Sequence, residues 1–346
     1  MKSPAMRWLL GLLAAIVLLT LPMWLENQFY LHQATIIFLF SVVALGYWLI
    51  YRTGQVSFAQ AGFMMIGAYT TACLTKYLDF SFWLTLPLAG VVTALVALAI
   101  GIPTLRLRGA YFFLITFAFG EVIRLFFNNA WESVFGGTLG IHRIPSPSTI
   151  EIPYLFTLVF DKTHEGNISY YYLVLVFFTV TMLVMRQVDR TRVGKTIVGL
   201  RDAEDLSEAI GVPTMAYRVF AFAFAAFFTG IAGGIYAAYH TFIDPVTFMI
   251  VHSIEYLSFF IVGGHGSVWG PLLGTAVVET IGEAGRGYGL GEFVISGFLM
   301  IVVVLFFPAG IVGIPRAVMR YVDRRRGIIE EEEDEAEPEP ATEEVQ

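Results

Sequence analysis

Long apolar runs separated by short polar stretches dominate the pattern of this chain. Most are close to the roughly 20 residues that a helix needs to cross a bilayer. The runs fall at 7–25, 31–51, 57–76, 82–102, 110–127, 169–185, 218–239, 248–262, 267–285 and 291–307. They predict an all-α membrane protein, a polytopic helical bundle with about ten transmembrane segments. The runs at 57–76 and 267–285 are rich in Gly and polar residues, so we expect broken or re-entrant helices there.

One polar segment, residues 186–217, interrupts this pattern in the middle of the chain and carries five basic and five acidic residues. Projected as a helix, positions 200–211 place apolar side chains on one stripe and acids on the other side, and Gly211 and Pro213 end the helix. The stripe comprises Leu200, Ala203, Leu206 and Ile210, and the acids are Asp202, Glu204, Asp205 and Glu208. Because an acidic face suits anionic lipid headgroups poorly, we expect this helix to dock into a protein groove.

Basic residues cluster at alternate ends of the apolar runs. Outside the 186–217 segment, the groups next to these runs are Lys2, Arg7, Arg52, Arg106, Arg108, Arg316, Arg320 and residues 324–326. Ten crossings place all of these groups on one side, which the positive-inside rule makes cytoplasmic. Both chain termini are then cytoplasmic, and the turn-rich segment 128–168 is external. The run at 7–25 ends without a small-residue cleavage site, so we expect a retained helix and not a signal peptide.

Composition agrees with a membrane protein and separates a tail from the body. The chain is 57% hydrophobic and 14% charged, with a mean hydropathy of +0.70, whereas a soluble domain has about 25% charged residues. The net charge is −7, but residues 330–346 hold ten acids and no base. We expect residues 1–315 to form the transmembrane domain. Residues 316–346 are then a cytoplasmic tail, basic and then acidic, disordered from about residue 328. The single Cys73 excludes an internal disulfide.

Uncharged polar and small residues mark the run that begins near residue 54. They are Gln55, Ser57, Gln60, Gly62 and Gly67. Hydrogen-bonding groups at membrane depth are costly without partners. They favour either a helix that lines the path of a small polar solute or a tightly packed helix whose polar groups bond to its neighbours. From spacing alone the two interpretations carry equal weight.

Further small residues predict close helix packing. Ala226, Gly230, Gly234 and Ala238 recur at intervals of four on one helix face. The glycine-rich segment 263–274, which includes Gly270 and Gly274, must interrupt regular helix, either as a tight turn or as a broken helix at a solute site. His265 within it has no partner at metal-ligand spacing, so we expect a loop hydrogen-bonding residue and no metal site.

Groups suited to catalysis or ion coupling are scarce. Glu121 and Arg124 lie three apart on one predicted helix, and Glu279 and Glu283 lie near the end of another. This placement favours interfacial pairs over a coupling-ion site. The sequence at 194–196 ends like a phosphate-binding loop but lacks the leading Gly and the preceding strand. We therefore expect no ATP hydrolysis by this chain.

Five segments share a further property, which is likeness to one known family. They are GQVSFAQAGFMMIGAY, TLRLRGAYFFLITFAFGEVIRLFF, GGTLGIHRIP, VGKTIVGLRDAEDLSEAIGV and GGHGSVWGPLLGTA. Together they resemble the signature segments of the branched-chain amino acid ABC transporter permeases, in order between about residues 35 and 315. The RLRGAYF segment and the Gly-Gly region after it are similar to the M-type subunit. The chain departs from the family at Gln60-Ala61, where many members have His-Ala, and at Phe135, where Thr is usual.

This resemblance implies a permease subunit that does no covalent chemistry and holds neither cofactor nor metal. The implied partners are a homologous permease, two cytoplasmic ATP-binding subunits that use the ATP, an extracytoplasmic solute-binding protein and membrane lipid, with no nucleic acid. The implied location is the inner (plasma) membrane. By the same resemblance the 186–217 segment contains the coupling helix that contacts the ATPase. The candidate coupling residues are Arg201, Glu204, Asp205, Glu208, Ala209 and Gly211.

Two other functions stay open on the sequence. One is a stand-alone ion-coupled secondary transporter of amino acids or amides, which the scarcity of charge at membrane depth disfavours. The other is a scaffold whose polar segment recruits a cytosolic protein, which the Gly- and Gln-lined runs disfavour. For the importer, leucine, isoleucine and valine are the family's default solutes, and other amino acids, amides or urea are the alternatives.

Overall fold

A computed structural model describes residues 17–22, 24, 27–107, 109–152, 156–160, 163–286, 292–307 and 310–314. The helices are α1 (Gln28–Tyr51), α2 (Gln60–Tyr77), α3 (Phe82–Thr104), α4 (Ala110–Asn129), α5 (Glu132–Phe135), α6 (His164–Arg190), α7 (Arg192–Asp202), α8 (Glu204–Ala209), α9 (Thr214–His240), α10 (Ile250–Gly263), α11 (Gly270–Arg286) and α12 (Glu292–Phe306). The strands are β1 (Ile141–His142), β2 (Ile150–Ile152), β3 (Phe156–Leu158) and β4 (Phe242–Ile243). Most of the predicted first crossing and the whole tail at 316–346 lie outside the described residues.

The predicted apolar runs from 31–51 onward coincide with α1–α4, α6 and α9–α12. Within the described part of the chain, α1, α3, α4, α6 and α9 are long and apolar enough to cross a membrane. Helices α10, α11 and α12 have 14, 17 and 15 residues, fewer than the roughly 20 of a full span. The all-α membrane class is therefore confirmed, and the count of ten crossings stays a prediction.

The breaks expected in the two glycine-rich runs are not found within their helices, and the alternative of re-entrant helices stays a prediction. Helix α2 is continuous from residue 60 to 77, and α11 is continuous from 270 to 286. Irregular backbone precedes each helix instead, and residues 264–269 form the turn between α10 and α11. Gly264 ends α10 with a φ of +96°, a conformation that glycine adopts without strain. Gly62, Gly67, Gly270 and Gly274 of these runs lie at close contacts between helices.

Helix α9 lies at the centre of the bundle, against α1, α2 and α3. A Cβ added to Gly67 of α2 would lie 1.9 Å from the carbonyl oxygen of Gly230 on α9. A Cβ added to Gly233 would lie 2.0 Å from the carbonyl oxygen of Met64. The two backbones are thus in direct contact, as small residues allow in membrane proteins.

Short strands join the segment after α5 to the end of α9. Strand β1 pairs antiparallel with β4, with Ile141 opposite Ile243. A separate hairpin is formed by β2 and β3. Gly140 has a φ of +68°, and a Cβ there would lie 2.1 Å from the carbonyl oxygen of Ile243. The turn-rich segment 128–168 is therefore attached to the last turn of α9, and its external position stays a prediction.

The polar segment 186–217 contains the end of α6, then α7, α8 and the start of α9. The expected single helix over 200–211 is wrong. Ala203 has φ −152° and ψ 75°, and this non-helical residue divides the region into α7 and α8. The two short helices consequently present different faces from those of a continuous helix.

Candidate functional site

Helix α7 of the 186–217 segment packs against α6 and α9, and its Arg201 reaches the end of α1. Ile197 and Leu200 of α7 are each 1% exposed. The guanidinium carbon of Arg201 lies 4.5 Å from the centre of the Tyr51 ring, at the last residue of α1. A cation over an aromatic face is attracted by the ring quadrupole. Apolar burial and this contact together fix α7 on the bundle.

An ion pair joins the same end of α1 to α6. Arg52 Nη1 lies 2.8 Å from Asp189 Oδ1, and the Arg52 guanidinium carbon is 4.7 Å from the centre of the Trp48 ring. The indole Nε1 of Trp48 donates a hydrogen bond of 3.2 Å to the carbonyl oxygen of His265. The ends of α1 and α6 and the 264–269 turn therefore meet in one place.

His265 lies between the two arginines of this junction. Its ring centre is 5.5 Å from that of Tyr51. Burial first, and then the positive charges of Arg201 and Arg52, lower the pKa of His265 from 6.5. His265 is therefore neutral near pH 7. We call Tyr51, Arg52, Asp189, Arg201 and His265 the arginine cluster.

Two acidic side chains of α8 contact the first turns of α9 and hold α8 in place. Glu204 Oε2 lies 2.5 Å from Arg218 Nη2, and these side chains are 18% and 8% exposed. The hydroxyl of Thr214 donates a 2.9 Å hydrogen bond to Glu208 Oε1. Because removal of one partner of a buried ion pair leaves an uncompensated charge, the Glu204–Arg218 pair is a strong constraint on the position of α8.

The outward side of α8 is apolar. Leu206 is 64% exposed and Ile210 is 73% exposed, and Asp205, Ala209 and Gly211 are exposed beside them. We call Leu206, Ala209 and Ile210 the loop surface. Gly211 has a φ of +83° and donates its N–H to the carbonyl oxygen of Glu208 at 2.9 Å, which ends α8.

These contacts contradict the predicted division of the 200–211 helix into one apolar stripe and one acidic face. The stripe that included Leu200 and Leu206 is divided, since Leu200 is buried and Leu206 is exposed. Glu204, expected on the docking face, is turned inward by its ion pair with Arg218. The physical reason is the non-helical Ala203, which rotates α8 relative to α7.

Two residues of this site, Arg218 and Tyr51, were not predicted from the sequence. Arg218 is a lone base at the start of an apolar run, and it lies 14 positions after the acid that it pairs with. A buried cation in an apolar helix requires an acid nearby, so this signal was available. Tyr51 gives no such signal, because aromatic residues at helix ends are common in membrane proteins.

The residues that the sequence assigned to a solute path lie in the packed interior. Gln55, Ser57 and Gln60 are 4%, 0% and 0% exposed. Gln60 Oε1 accepts a 2.9 Å hydrogen bond from the hydroxyl of Thr229, and its Nε2 has no hydrogen-bond partner among the described residues. Gln55 donates to the carbonyl oxygen of Leu107 at 3.5 Å. Their part in a solute path stays a prediction.

Gly62 and Gly67, assigned to the same path, lie at helix crossings. A Cβ on Gly62 would lie 3.4 Å from the Cα of Gly120 on α4. A Cβ on Gly67 would collide with the backbone of Gly230. Both positions have the surroundings of packing residues.

The residues assigned to helix packing lie in close contacts. A Cβ on Gly230 would meet Thr93 Oγ1 at 2.4 Å, and one on Gly234 would meet Thr71 Oγ1 at 2.4 Å. Ala226 and Ala238 are both fully buried. In the second set, a Cβ on Gly270 would lie 2.1 Å from Gly264 O, and one on Gly274 would lie 1.8 Å from Phe259 O.

Comparison with known proteins gives one family match, which covers residues 29–307. The family is described as "Branched-chain amino acid transport system / permease component". The matched range includes α2–α12 and all of α1 except its first residue, Gln28. No solved structure matches the chain.

Three curated relatives are similar over most of this chain. The "High-affinity branched-chain amino acid transport system permease protein LivM" of Salmonella typhimurium is 30% identical over 287 residues, which are 78% of this chain and 66% of that protein. The protein of the same name from Escherichia coli K12 is 28% identical, over 90% of this chain and 76% of the relative. A "Probable branched-chain amino acid transport permease protein LivH" from Methanocaldococcus jannaschii is 25% identical, over 79% of this chain and 88% of the relative.

Proposed function

The chain belongs to the family of branched-chain amino acid transport system permease components, and we propose that it is an M-type permease subunit of an ATP-binding-cassette importer. In this role it forms half of a solute path and does no covalent chemistry. It needs no cofactor of its own, because separate subunits use the ATP. The match to this family favours the importer over a stand-alone ion-coupled transporter.

The observation that carries the proposal is the loop surface. Leu206 and Ile210 lie four positions apart and are 64% and 73% exposed, although they project from a segment rich in charge. Large exposed apolar side chains rimmed by polar residues are typical of a protein contact. We propose that an ATP-binding subunit covers this surface.

The anchoring of α7 and α8 supports a role in coupling. Glu204 ties α8 to Arg218 of α9, and Arg201 ties α7 to Tyr51 of α1. A displacement of the loop surface therefore reaches two long membrane helices through short, well-anchored links. Rigid-body motion of packed helices is a common way to transmit such a change.

The assembly that follows from this proposal has several partners. A homologous permease encloses the solute path together with this chain, two ATP-binding subunits contact the loop surfaces, and an extracytoplasmic binding protein delivers the solute. The subunit crosses the inner membrane several times, with its loop surface and both termini in the cytoplasm. Branched-chain amino acids, which the names of the relatives specify, are the proposed solutes.

Replacement of Leu206 and of Ile210 by Asp tests the contact. The permease is purified in mild detergent after co-expression with its ATP-binding subunits. We expect either substitution to reduce recovery of those subunits by about tenfold, because a charge is then buried in the interface. Val246, which is 53% exposed near the opposite end of α9, provides the matched control as Val246→Asp. Full recovery of the ATPase with both loop-surface variants would refute the proposal.

A further inference from the structure

Helix α4 is the least buried of the five helices in the described part of the chain that are long and apolar enough to cross a membrane. Only 28% of its membrane-spanning stretch is buried, against 39–72% for the other four. Its packed side lies on α2 and α10, where a Cβ on Gly120 would lie 2.9 Å from Ile250 Cδ1. The rest of α4 therefore faces lipid or another protein.

The exposed surface of α4 has two parts with different chemistry. One part is apolar, and its residues, each more than 40% exposed, are Tyr111, Leu114, Val122 and Leu125. The other part, which we call the polar flank, consists of Glu121, Arg124 and Asn128. These three positions recur at intervals of three and four, so they lie within about 60° of each other around the helix.

The ion pair of the polar flank lies close to the middle of α4. Glu121 is the twelfth of the 20 residues from Ala110 to Asn129, about 12 Å from the last one at 1.5 Å per residue. Its short side chain does not span that distance to the headgroups.

Arg124 turns toward the middle of the helix and not toward the headgroups. Its Nε donates hydrogen bonds of 3.1 and 3.0 Å to the two carboxylate oxygens of Glu121, and its Nη2 also donates to Glu121 Oε1. Arginine side chains near the end of a membrane helix otherwise extend toward the headgroups. The contact with Glu121 therefore keeps the guanidinium at membrane depth.

Hydrocarbon is an unsuitable neighbour for this ion pair. The side chains of Arg124 and Glu121 are 21% and 37% exposed. The Nη1 group of Arg124 makes no hydrogen bond to any residue that the structure describes. Unpaired N–H groups are costly in an apolar medium, and ionised side chains of membrane helices face protein or a water-filled space. The polar flank consequently does not face lipid.

We propose that the polar flank of α4 is the contact with a second membrane subunit, the homologous permease. This inference rests on the proposed function, which supplies that subunit. The contacting helix offers oxygen acceptors to Nη1 of Arg124 at the depth of Glu121, from hydroxyl, amide or backbone carbonyl groups. Hydrogen bonds of this kind join helices within membranes. The apolar part of α4 around Val122 then faces lipid.

Photocrosslinking from two phenylalanines of α4 tests this contact. Phe117 lies on the side of the polar flank, and Phe126, which is 42% exposed, lies nine positions later and so on the opposite side of the helix. The photoreactive residue p-benzoylphenylalanine replaces one or the other in the chain co-expressed with the homologous permease and the ATP-binding subunits. We expect crosslinks to the homologous permease from position 117 and not from position 126. The reverse result, lipid adducts alone from both positions, or crosslinks from position 117 to a second copy of this chain would each overturn the proposal.

Removal of the ion pair gives an independent measurement. Glu121→Leu combined with Arg124→Leu removes both charges and leaves no unpaired ion. We expect recovery of the homologous permease in mild detergent to fall by about tenfold, because its acceptors lose their donor. The melting temperature of the variant chain verifies that it is folded. Tyr111→Ala combined with Val122→Ala changes the apolar part of α4 and should leave recovery unchanged. Full recovery with the double leucine variant would refute the contact.

The composition of the wild-type complex separates this inference from the proposed function. A complex that contains the ATP-binding subunits and no homologous permease removes both. A complete complex in which position 117 gives no crosslink to the homologous permease removes the contact on α4 and leaves the proposed function intact.

Discussion

Gly67 is the residue at which the structure most changes the meaning of a sequence pattern. The pattern placed it on a helix that could either line a path or pack against neighbours. Its Cα faces the backbone of Gly230, with no space for a Cβ. Backbone contact at this position packs α2 on α9. It says nothing about the role of the other faces of α2.

Gly67→Ala should destabilise the protein strongly. The new Cβ would lie 1.9 Å from a carbonyl oxygen, and backbone on both sides leaves no flexible side chain to move. Overpacking in a well-packed core costs about 1–3 kcal/mol, and contact with backbone places this site at the upper end. Thermal unfolding in detergent measures the effect. Gly199→Ala on α7, where a Cβ meets nothing within 4 Å, is the control and should be neutral or stabilising. Equal melting temperatures for the two variants would contradict the packing argument.

Glu204 and Arg218 form a pair whose charges can be exchanged. Glu204→Lys places two cations in a poorly exposed contact and should cost about 3–5 kcal/mol, as for a broken buried pair. Glu204→Lys combined with Arg218→Glu restores opposite charges and should recover much of that loss. Melting temperatures of the two single variants and the double variant measure the coupling. Additive losses in the double variant would mean that the pair does not hold α8.

At the scale of elements, hydrophobic periodicity predicted a helix over 200–211, which covers α8 but only the last residues of α7. The apolar positions 200, 203, 206 and 210 fit one continuous helix. The backbone departs from the helix at Ala203, a residue that favours helices intrinsically. Tertiary contacts override that preference, because burial of Leu200 and the ion pair of Glu204 require α7 and α8 to point differently. The burial of Leu200 has no local signal, and the lone base Arg218 indicates a nearby acid without identifying Glu204 as that acid.

Gly211 sets the direction in which α8 joins α9. Its φ of +83° lies in a region that costs an L-residue roughly 1–2 kcal/mol and a β-branched one more. Gly211→Val should therefore displace α8 while leaving the bundle folded. We expect leucine uptake to fall several-fold relative to ATP hydrolysis in the reconstituted complex. Gly199→Val, in open space, should keep the wild-type ratio, and an unchanged ratio in Gly211→Val would exclude α8 from coupling.

The arginine cluster makes the junction of α1, α6 and the 264–269 turn sensitive to acid. The pKa of His265 is lowered in the folded protein from 6.5. Above pH 6.5 the imidazole is neutral in both folded and unfolded states, so protonation of His265 takes nothing from the free energy of unfolding. As pH falls, the unfolded state takes up the proton first, and the free energy of unfolding decreases. Thermal unfolding between pH 8 and pH 5 should show a smaller decrease for His265→Gln than for the wild type. His142→Gln is the control, and identical profiles for His265→Gln and the wild type would exclude this role.

At the scale of the whole molecule, α1 and α9 connect the loop surface to a cavity of about 360 Å³ at the opposite end of the bundle. Helix α1 runs from His32 at the cavity to Tyr51 in the arginine cluster, and α9 runs from Arg218 beside α8 to His240 at the cavity. With 24 and 27 residues, these helices are about 36 and 40 Å long. A displacement at the loop surface can thus reach the cavity along two continuous helices.

The order and type of these elements followed from the sequence, and the cavity did not. Apolar runs predicted α1 and α9 because each buries a continuous apolar surface. The cavity groups lie on four helices, at positions such as 32, 240, 255 and 279, and only tertiary packing brings them together. Glu279 was noted as a charge near a helix end, but its neighbours from α1 and α10 carry no local signal.

The opposed positions of the two sites lead to a test of membrane orientation. The chain has a single cysteine, Cys73, so Cys73→Ser provides a background for single-cysteine labelling. Leu206→Cys on the loop surface and Val246→Cys beyond α9 are both well exposed sites. If basic residues are retained in the cytoplasm, a membrane-impermeant maleimide applied to spheroplasts should label Val246→Cys and not Leu206→Cys. Inside-out vesicles should give the reverse, and ATP-binding subunits bound there should protect Leu206→Cys. Labelling of Leu206→Cys from outside would invert the orientation and remove the ATPase from the loop surface.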